Sequence, residues 1–448
     1  MSTAQKSDTK KRKRSSVRHT RAIQFDRLKR PIADNLPEHV EKLFKEIVYP
    51  LILTQKELFR ELGLRERTLT LPMIMAVFLM AVWRQVAGVS ELARLVRDEG
   101  AIWEMPTKVS QQAISKRLKV LPPQLVLNVL NRLLPQMQAR WQNRHRPLPP
   151  EVSWVLARYK KCLIVDGSTL DALVRKVGLL KEQEKYPLAG KMTTLLHLGS
   201  QIPETIWYNA KATASDQTFW RQILAVLTDG CFLVFDLGYV NFSHYKTMTD
   251  KNVTFLSRVK SNLKFERTRH LAITPTFRDT IVWIGTGHTR QQVRLIEVLH
   301  KTTWHRYMTN ELDPLILPAR DCVSLYYRRW SIERAFFVVK RLLGLAYFWS
   351  GAQNAVEFQL WSVWIVYCFL IDLTDEVAGL LHLPFERISI EMVYRSFYYY
   401  LKAVERGQAD SLPLYIQRNA KHLGIIKRKR KESVSIYDSW ALTTGQTP

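Results

Sequence analysis

Four side chains with functional groups are spaced to share one helix face in the segment YYRRWSIERAFFVVK (326–340). At about 100° per residue, Tyr326, Arg329, Glu333 and Lys340 fall within roughly 60° of one another. A carboxylate, two cations and a phenol on one stripe suit a divalent metal ion and a phosphodiester. The alternative is a solvated face on which Arg329 and Glu333 form an ordinary i,i+4 ion pair.

Aromatic residues on the same face favour the functional stripe. Trp330 and Phe337 accompany the charged residues, which is unusual for a face turned to bulk water. The opposite face is apolar and is predicted to pack on a core. Its members are Ile332, Ala335, Val338, Val339 and Leu342.

Two aspartates follow short apolar runs elsewhere in the chain. Asp166 closes KCLIVD and Asp236 closes CFLVFD, and both runs are typical of strands buried on both faces. Ligands of open α/β sheets bind beyond the carboxyl ends of such strands. Either aspartate alone could be a turn former. Together with Glu333, however, they would form a hard oxygen-ligand site for Mg²⁺ or Mn²⁺.

Periodicity and turn residues divide the chain into six predicted segments. These are a disordered basic arm (1–30), a helical DNA-binding domain (31–145), the first part of an α/β core (146–260), a β-rich insertion (261–318), the Glu333 helix with the second part of the core (319–380), and a helical C-terminal region with a basic tail (381–448). In the helical domain, Ser110 is a plausible cap for a helix with Gln112 and Lys116 outward. This arrangement resembles a helix-turn-helix, although an ordinary helical bundle with a polar face has the same pattern.

Composition indicates a polyanionic partner. The net charge is +27 and the pI about 10.0, with eleven Lys/Arg against two acidic residues in 1–30 and KRKRK at 427–431. Basic arms on a basic body favour nucleic acid. The four cysteines show no zinc spacing, and no signal peptide pattern is visible, so a cytoplasmic protein is expected. The apolar runs 71–83 and 360–371 are shorter than the roughly 20 residues of a membrane span and are predicted as buried helices.

A family resemblance rests on three of these motifs. The segment 326–340 matches the Tyr-x2-Arg-x3-Glu-x6-Lys signature of the insertion-sequence-four family of DDE transposases. LIVDGSTL (163–170) resembles the first catalytic aspartate block of that family, and FDLGYVN (235–241) the second. The run YMTNELDPLILPARDCVSLYYRRW (307–330) resembles the approach to the signature. The resemblance covers roughly 160 to 370 well and 70 to 140 more loosely.

The resemblance implies an RNase H-like catalytic core with a β-rich insertion before the glutamate helix. Asp166, Asp236 and Glu333 would hold two Mg²⁺ ions, for which Mn²⁺ can substitute. Phosphate contacts would come from Tyr326, Arg329 and Lys340. Trp330 and Trp304 would stack on an unpaired base, with core packing as the alternative for each tryptophan.

The implied activity is cut-and-paste transposition in the bacterial nucleoid. The protein would bind the terminal inverted repeats of an insertion sequence as double-stranded DNA, cleave there, and join the ends to target DNA. Two ends must be held together, so at least a homodimer on DNA is expected, with 392–404 as one candidate interface. Two alternatives stay open: a transposase-derived DNA-binding protein without strand transfer, and a stand-alone DNA nuclease.

Overall fold

The computed structural model describes residues 37–86, 88–170, 190–260, 262–345, 349–350 and 352–427. The predicted basic arm (1–30) and the tail beyond Lys427 lie outside these ranges. The predicted division of the chain into domains stays a prediction.

Before residue 157, the regular secondary structure of the described residues is helical, apart from one isolated β-bridge between Ala101 and Glu104. They are α1 (Glu38–Leu43), continued by a π-helical turn (Phe44–Val48), α2 (Tyr49–Leu53), α3 (Lys56–Glu61), α4 (Leu71–Trp83), α5 (Val89–Asp98), α6 (Gln111–Val120), α7 (Gln124–Gln142) and α8 (Pro150–Leu156). Local capping sets two of the ends, because Thr70 and Ser110 accept hydrogen bonds from backbone N–H groups three residues on. The predicted helical character is therefore found, while a DNA-binding role for this region stays a prediction.

A long apolar helix, α13 (Gln353–Leu380), joins the N-terminal helices to the rest of the protein. It packs against α4 and α7, and their side chains belong to one continuous hydrophobic core. Two further helices, α14 (Ile390–Glu405) and α15 (Leu412–Arg418), contact α13 as well. The N-terminal helices thus share their core with the C-terminal part of the chain.

Among the described residues, α13 is the one helix that is long and apolar enough to cross a membrane by length and composition. It extends beyond the apolar run 360–371 at both ends. Of its most apolar window, 94% is buried inside the protein, as expected of a core helix. The other apolar run, 71–83, forms α4, in which every residue is buried.

A nine-stranded mixed sheet follows the helices, in the order β3-β2-β1-β4-β5-β9-β8-β7-β6. The strands are β1 (Lys161–Thr169), β2 (Lys191–His197), β3 (Pro203–Asn209), β4 (Cys231–Phe235), β5 (Thr254–Arg258), β6 (Glu266–Ile273), β7 (Phe277–Ile284), β8 (Gln291–His300) and β9 (Thr303–Thr309). β1, β4 and β5 run parallel, and all other neighbours are antiparallel. The mixed α/β class predicted from sequence is confirmed. The β-rich segment before the glutamate helix extends the same sheet.

The remaining helices cover the sheet. They are α9 (Trp220–Val226), which follows a 3₁₀ turn (Asp216–Phe219), then α10 (Phe242–Asp250), α11 (Ala319–Arg328) and α12 (Trp330–Phe337), which ends in a π-helical turn (Val338–Leu342). The single helix expected over 326–340 is therefore wrong in detail. At Arg329 the hydrogen bonds tighten to three-residue spacing, from Arg329 N–H to Tyr326 O and from Ile332 N–H to Arg329 O.

Candidate active site

Asp166 and Asp236 lie side by side at one edge of the sheet. The β1–β4 register pairs Ile164 with Val234, and continuing it places Asp166 beside Asp236. Asp166 Oδ1 accepts a hydrogen bond from Gly167 N–H at 2.8 Å, and Asp236 Oδ1 accepts one from Gly238 N–H at 2.8 Å. The two predicted aspartates are thus brought together at the carboxyl ends of parallel strands.

The sequence prediction that β1 ends at Asp166 is wrong. The strand continues to Thr169, because β2 pairs antiparallel with Asp166 to Thr169 after the parallel pairing with β4 has stopped. Asp166 therefore sits within a strand and is only 7% exposed. Its backbone is held by the β1–β2 ladder, so the carboxylate is fixed more firmly than a loop residue would be.

Arg329, at the joint between α11 and α12, connects the helix stripe to the aspartates. Its Nη1 lies 2.7 Å from Asp166 Oδ2 and 3.7 Å from Glu333 Oε1. The guanidinium also lies 5.9 Å from the ring centre of Tyr326 and 5.1 Å from that of Trp330. One arginine therefore contacts both a strand carboxylate and a helix carboxylate, which brings Glu333 to the aspartates.

The pKa of Asp166 shows how closely the carboxylates approach. The pKa of Asp166 is raised to about 7, chiefly by burial; Arg329 lowers it, and the negative charges of Asp236 and Glu333 add to the rise. Like charges have this effect only when they share a site. Three carboxylates and one guanidinium thus form a single electrostatic cluster.

The chemistry of these donors fits a divalent cation. Carboxylate oxygens are the ligands that Mg²⁺ and Mn²⁺ prefer, and a cation would relieve the repulsion that raises the pKa of Asp166. No group of three or more His, Cys, Asp and Glu side chains within the described ranges is already arranged around an ion position. Asp166 Oδ2 is paired with the Arg329 guanidinium at 2.7 Å, so a cation would share or compete for that oxygen.

The last residue of the stripe, Lys340, lies in the π-helical turn that follows α12. Its Nζ donates to Thr169 O at 2.9 Å and approaches Ser168 Oγ at 3.4 Å, just beyond Asp166 on β1.

The apolar face predicted for this helix is confirmed as buried. Its members are Ile332, Ala335, Val338, Val339 and Leu342. Trp330 and Phe337 are 57% and 52% exposed, so the polar face does present aromatic surface to solvent.

Trp304 does not lie with the stripe. It is on β9, where side chains alternate between the two faces of the sheet, and Tyr307 is three residues away. Tyr307 contacts Tyr326 at 5.3 Å between ring centres, so Trp304 belongs to the opposite face. There the Arg278 guanidinium lies 4.5 Å from its ring centre. Base stacking by Trp304 stays a prediction.

Gln112 and Lys116 are exposed on α6, whose inner face buries Ile114 and Leu118. The helix is anchored by Arg117, which donates to Arg65 O at 2.7 Å. Both predicted DNA contacts are therefore accessible on a fixed helix. Contact with DNA bases stays a prediction.

Sequence reasoning missed a cation beside the aspartates, Arg258. The β4–β5 register pairs Phe235 with Ser257, which places Arg258 next to Asp236. Its Nε is buried and has no hydrogen-bond partner among the described residues. Burial raises the pKa of the Tyr326 phenol, and the cations Arg329 and Arg258 oppose that rise, so Arg258 lies near the stripe. The sequence did contain a signal for Arg258. Like the two aspartates, it is a charged residue at the end of a buried strand.

Comparisons with known proteins agree with this arrangement. A family model described as the transposase DDE domain matches residues 160–369, slightly less than half the chain but including Asp166, Asp236 and Glu333. A putative transposase, y4zB, of Sinorhizobium fredii is 26% identical over 167 residues, which cover 36% of this chain and 46% of that protein. A probable transposase for insertion sequence element IS5377 of Geobacillus stearothermophilus is 22% identical over 353 residues, covering 76% and 85%.

One solved structure also resembles the chain over most of its length. The cryo-EM structure of a piggyBac transposase synaptic complex with hairpin DNA aligns with 93% of this chain and 90% of that one. The TM-score is 0.41 and the identity 14%, so this likeness adds nothing to the assignment. The family model and the two sequence relatives support a transposase with a DDE domain. The narrower insertion-sequence-four assignment stays a prediction.

Proposed function

We propose that this protein is a transposase that binds the terminal inverted repeats of an insertion sequence and moves it by DNA cleavage and strand transfer. One observation supports this above all. The Arg329 guanidinium gathers Asp166 and Glu333 around one point, with Asp236 in register beside them, inside the segment that matches a transposase DDE domain. Carboxylates that can hold divalent ions, beside cations that can bind phosphates, suit metal-dependent cleavage and transfer of phosphodiesters.

Asp166, Asp236 and Glu333 are the residues that would hold two Mg²⁺ ions. When bound, such ions activate the attacking oxygen and stabilise the leaving oxygen of an in-line displacement. The raised pKa of Asp166 means that this carboxyl must lose its proton before it can serve as a ligand. The protein's own contribution is to hold three carboxylates together against their mutual repulsion.

The cations of the site would bind and orient the DNA backbone. Arg329 offers a planar guanidinium at Asp166, and Lys340 offers a point charge beside Thr169, just beyond Asp166 on β1. Arg258 adds a third cation beside Asp236. Tyr326 would donate its phenol proton to a phosphate oxygen, since burial keeps its pKa above the ordinary value and the phenol protonated.

The order and direction of the first five strands favour an RNase H-like core. β1, β2 and β3 form an antiparallel unit, and β4 and β5 add to β1 in parallel. Both aspartates then lie on adjacent central strands, as the family resemblance implied. Double-stranded DNA is the proposed partner, and pairing of two ends would require a homodimer.

The test is a reaction of the full chain with linear DNA carrying the genomic sequences that flank its coding region on both sides. We expect Mg²⁺-dependent breaks at the element boundaries and joining of the released ends to a supercoiled plasmid. The mass of the protein–DNA complex should correspond to at least two chains. Cleavage without joining would indicate a nuclease, and binding without cleavage a DNA-binding protein. Either result would contradict the proposed function.

A second prediction concerns end recognition by α6. Gln112→Ala and Lys116→Ala should each alter the preference among end sequences by about 1–3 kcal/mol per lost base contact. Gln142→Ala, an exposed glutamine on α7, is the matched control and should change nothing. Competition binding with single-base variants of the end measures the effect. An equal loss on every sequence would mark phosphate contacts instead, and no loss would leave α6 as part of a helical bundle.

A further inference from the structure

A fourth carboxylate, Asp216, lies between the segments that follow the two aspartates. A methyl group at Gly167 would be 2.3 Å from Asp216 Oδ1. At Gly238 it would be 3.0 Å from Asp216 Oδ2 and 3.1 Å from Asp236 Oδ1. Glycine at both positions leaves room for this side chain where it stands, close to the backbone after Asp166 and to the backbone after Asp236.

Lys191 holds the Asp216 carboxylate in that place. Its Nζ lies 2.7 Å from Asp216 Oδ1 and also donates to Ala214 O at 2.9 Å. Lys191 is the first residue of β2, directly opposite Thr169 at the end of β1. The two side chains are only 10% and 29% exposed, so solvent screens the pair weakly. Asp216 is thereby tied to the β1–β2 ladder that carries Asp166.

The residues after Asp216 are fastened to the other aspartate segment. Gln217 Nε2 donates to Gly238 O at 2.6 Å, and the Trp220 indole N–H donates to Tyr239 O at 3.2 Å. Ser215 caps the turn by accepting from Gln217 N–H. The stretch 215–220 thus links the backbone after Asp236 to the ladder of Asp166. We call it the aspartate strap.

Tyr239 gives independent evidence that the three carboxylates converge. Its side chain is fully buried. Burial raises its pKa well above the ordinary value, and Asp216, Asp166 and Asp236 each raise it further. All three carboxylates are therefore near enough to the Tyr239 phenol to act on it electrostatically.

We propose that Asp216, held by Lys191, is a positioning residue that sets the spacing of Asp166 and Asp236 for the divalent ions. The inference rests on the proposed function, in which those aspartates are ligands. Groups behind metal ligands commonly change metal affinity by about 10–100-fold when they are removed. Loss of the Asp216 charge would also leave the Lys191 ammonium group without its carboxylate partner beside the site. An unpaired, largely buried lysine would repel a divalent ion bound there.

The experiment measures Mn²⁺ binding to the full chain by electron paramagnetic resonance, with no DNA present. Asp216→Asn should weaken Mn²⁺ affinity about 10–100-fold. Asp229→Asn is the matched control, because Asp229 also pairs with a lysine, Lys160. Asp229 is exposed and lies before the first residue of β4, at the other end of that strand from Asp236. This variant should leave the affinity unchanged. Thermal unfolding without metal checks that each variant is folded.

The variant Lys191→Met distinguishes a positioning role of Asp216 from a purely electrostatic one. If Asp216 merely adds negative charge, removing the lysine should strengthen Mn²⁺ binding. If Lys191 positions Asp216, and Asp216 positions the aspartates, removing the lysine should weaken it. Unchanged or stronger binding in Lys191→Met overturns the inference, as does unchanged binding in Asp216→Asn. This variant also supplies the answer if Asp216→Asn fails to fold.

The outcome is distinguishable from failure of the proposed function. The Mn²⁺ titration needs no DNA, whereas the proposed function is judged by cleavage and joining. A wild-type chain whose Mn²⁺ affinity depends on Asp216 and Lys191, but which joins no DNA ends, would refute transposition alone. A wild-type chain that joins ends while Asp216→Asn keeps its Mn²⁺ affinity would refute the strap alone. No Mn²⁺ binding by the wild-type chain would also overturn the inference.

Discussion

Replacing Asp166, Asp236 or Glu333 with alanine is expected to lower Mg²⁺-dependent DNA cleavage by more than about 10³-fold. Each change removes one proposed metal ligand from a cluster held together by Arg329. Binding of end DNA should persist, because it depends on the basic surface and on counterion release rather than on the carboxylates. Cleavage assays and filter-binding titrations of the same preparations measure the two effects separately.

The controls for this prediction are carboxylates of the same types in exposed ion pairs. Asp250 pairs with Lys246 on α10, and Glu405 pairs with Lys402 at the end of α14. Exposed pairs of this kind contribute about 0–1 kcal/mol, so Asp250→Ala and Glu405→Ala should cleave like wild type. If any one of the three site variants keeps near-full Mg²⁺-dependent cleavage, that residue is not a metal ligand.

Local patterns in the sequence predicted those features of the site that are set by residues close together in the chain. A 3.6-residue period places side chains on one face whatever the helix packs against, so the buried face through Ile332 and Val339 could be predicted. Short apolar runs closed by aspartate similarly indicated central parallel strands. Asp166 and Asp236 meet because each lies two residues beyond the last paired residue of adjacent parallel strands, Ile164 and Val234.

Features that depend on distant partners could not be predicted in this way. β1 continues beyond Asp166 because its residues pair with β2, and neither Gly167 nor Ser168 indicates that pairing in the sequence. Asp216 follows the capping residue Ser215, a position where an aspartate is common, and only the folded chain places it against two glycines. The shared core of α4, α7 and α13 likewise arises from contacts between segments more than 200 residues apart.

The face of the sheet that Trp304 occupies also depends on strand pairing. The family resemblance implied that Trp304 stacks on a base together with Trp330 of the stripe, and this role stays a prediction. The regular β8–β9 register assigns it to the face opposite Tyr307. A shift of one residue in a strand exchanges the faces, so proximity in sequence carries little information about which face a side chain occupies.

Arg329→Gln is expected to shift the pH dependence of cleavage upward and to lower the maximal rate by about 10²–10³-fold. The pKa of Asp166 is about 7 although Arg329 lowers it, because burial and the charges of Asp236 and Glu333 outweigh the arginine. Without Arg329 the pKa of Asp166 rises further. The ionised form, which a divalent ion requires, then appears only at higher pH.

The sign of this shift follows from the competition between proton and metal at one carboxyl group. Below pH about 7 the wild-type Asp166 holds a proton, so Mg²⁺ affinity and cleavage should rise as the pH increases through that value. In Arg329→Gln the same rise should begin at a higher pH. Excess Mg²⁺ should move the midpoint downward in both proteins, because the ion displaces the proton.

Arg328→Gln is the matched control for this measurement. The neighbouring arginine pairs with Glu151 at 2.6 Å and lies 3.4 Å from Glu386, and it has no contact with Asp166. Its removal should leave the midpoint of the pH–rate profile unchanged. Rates measured between about pH 6 and pH 9 at fixed Mg²⁺ compare the three proteins. If Arg329→Gln keeps the wild-type midpoint, the guanidinium does not control the proton on Asp166. A lower rate would then reflect only a lost phosphate contact.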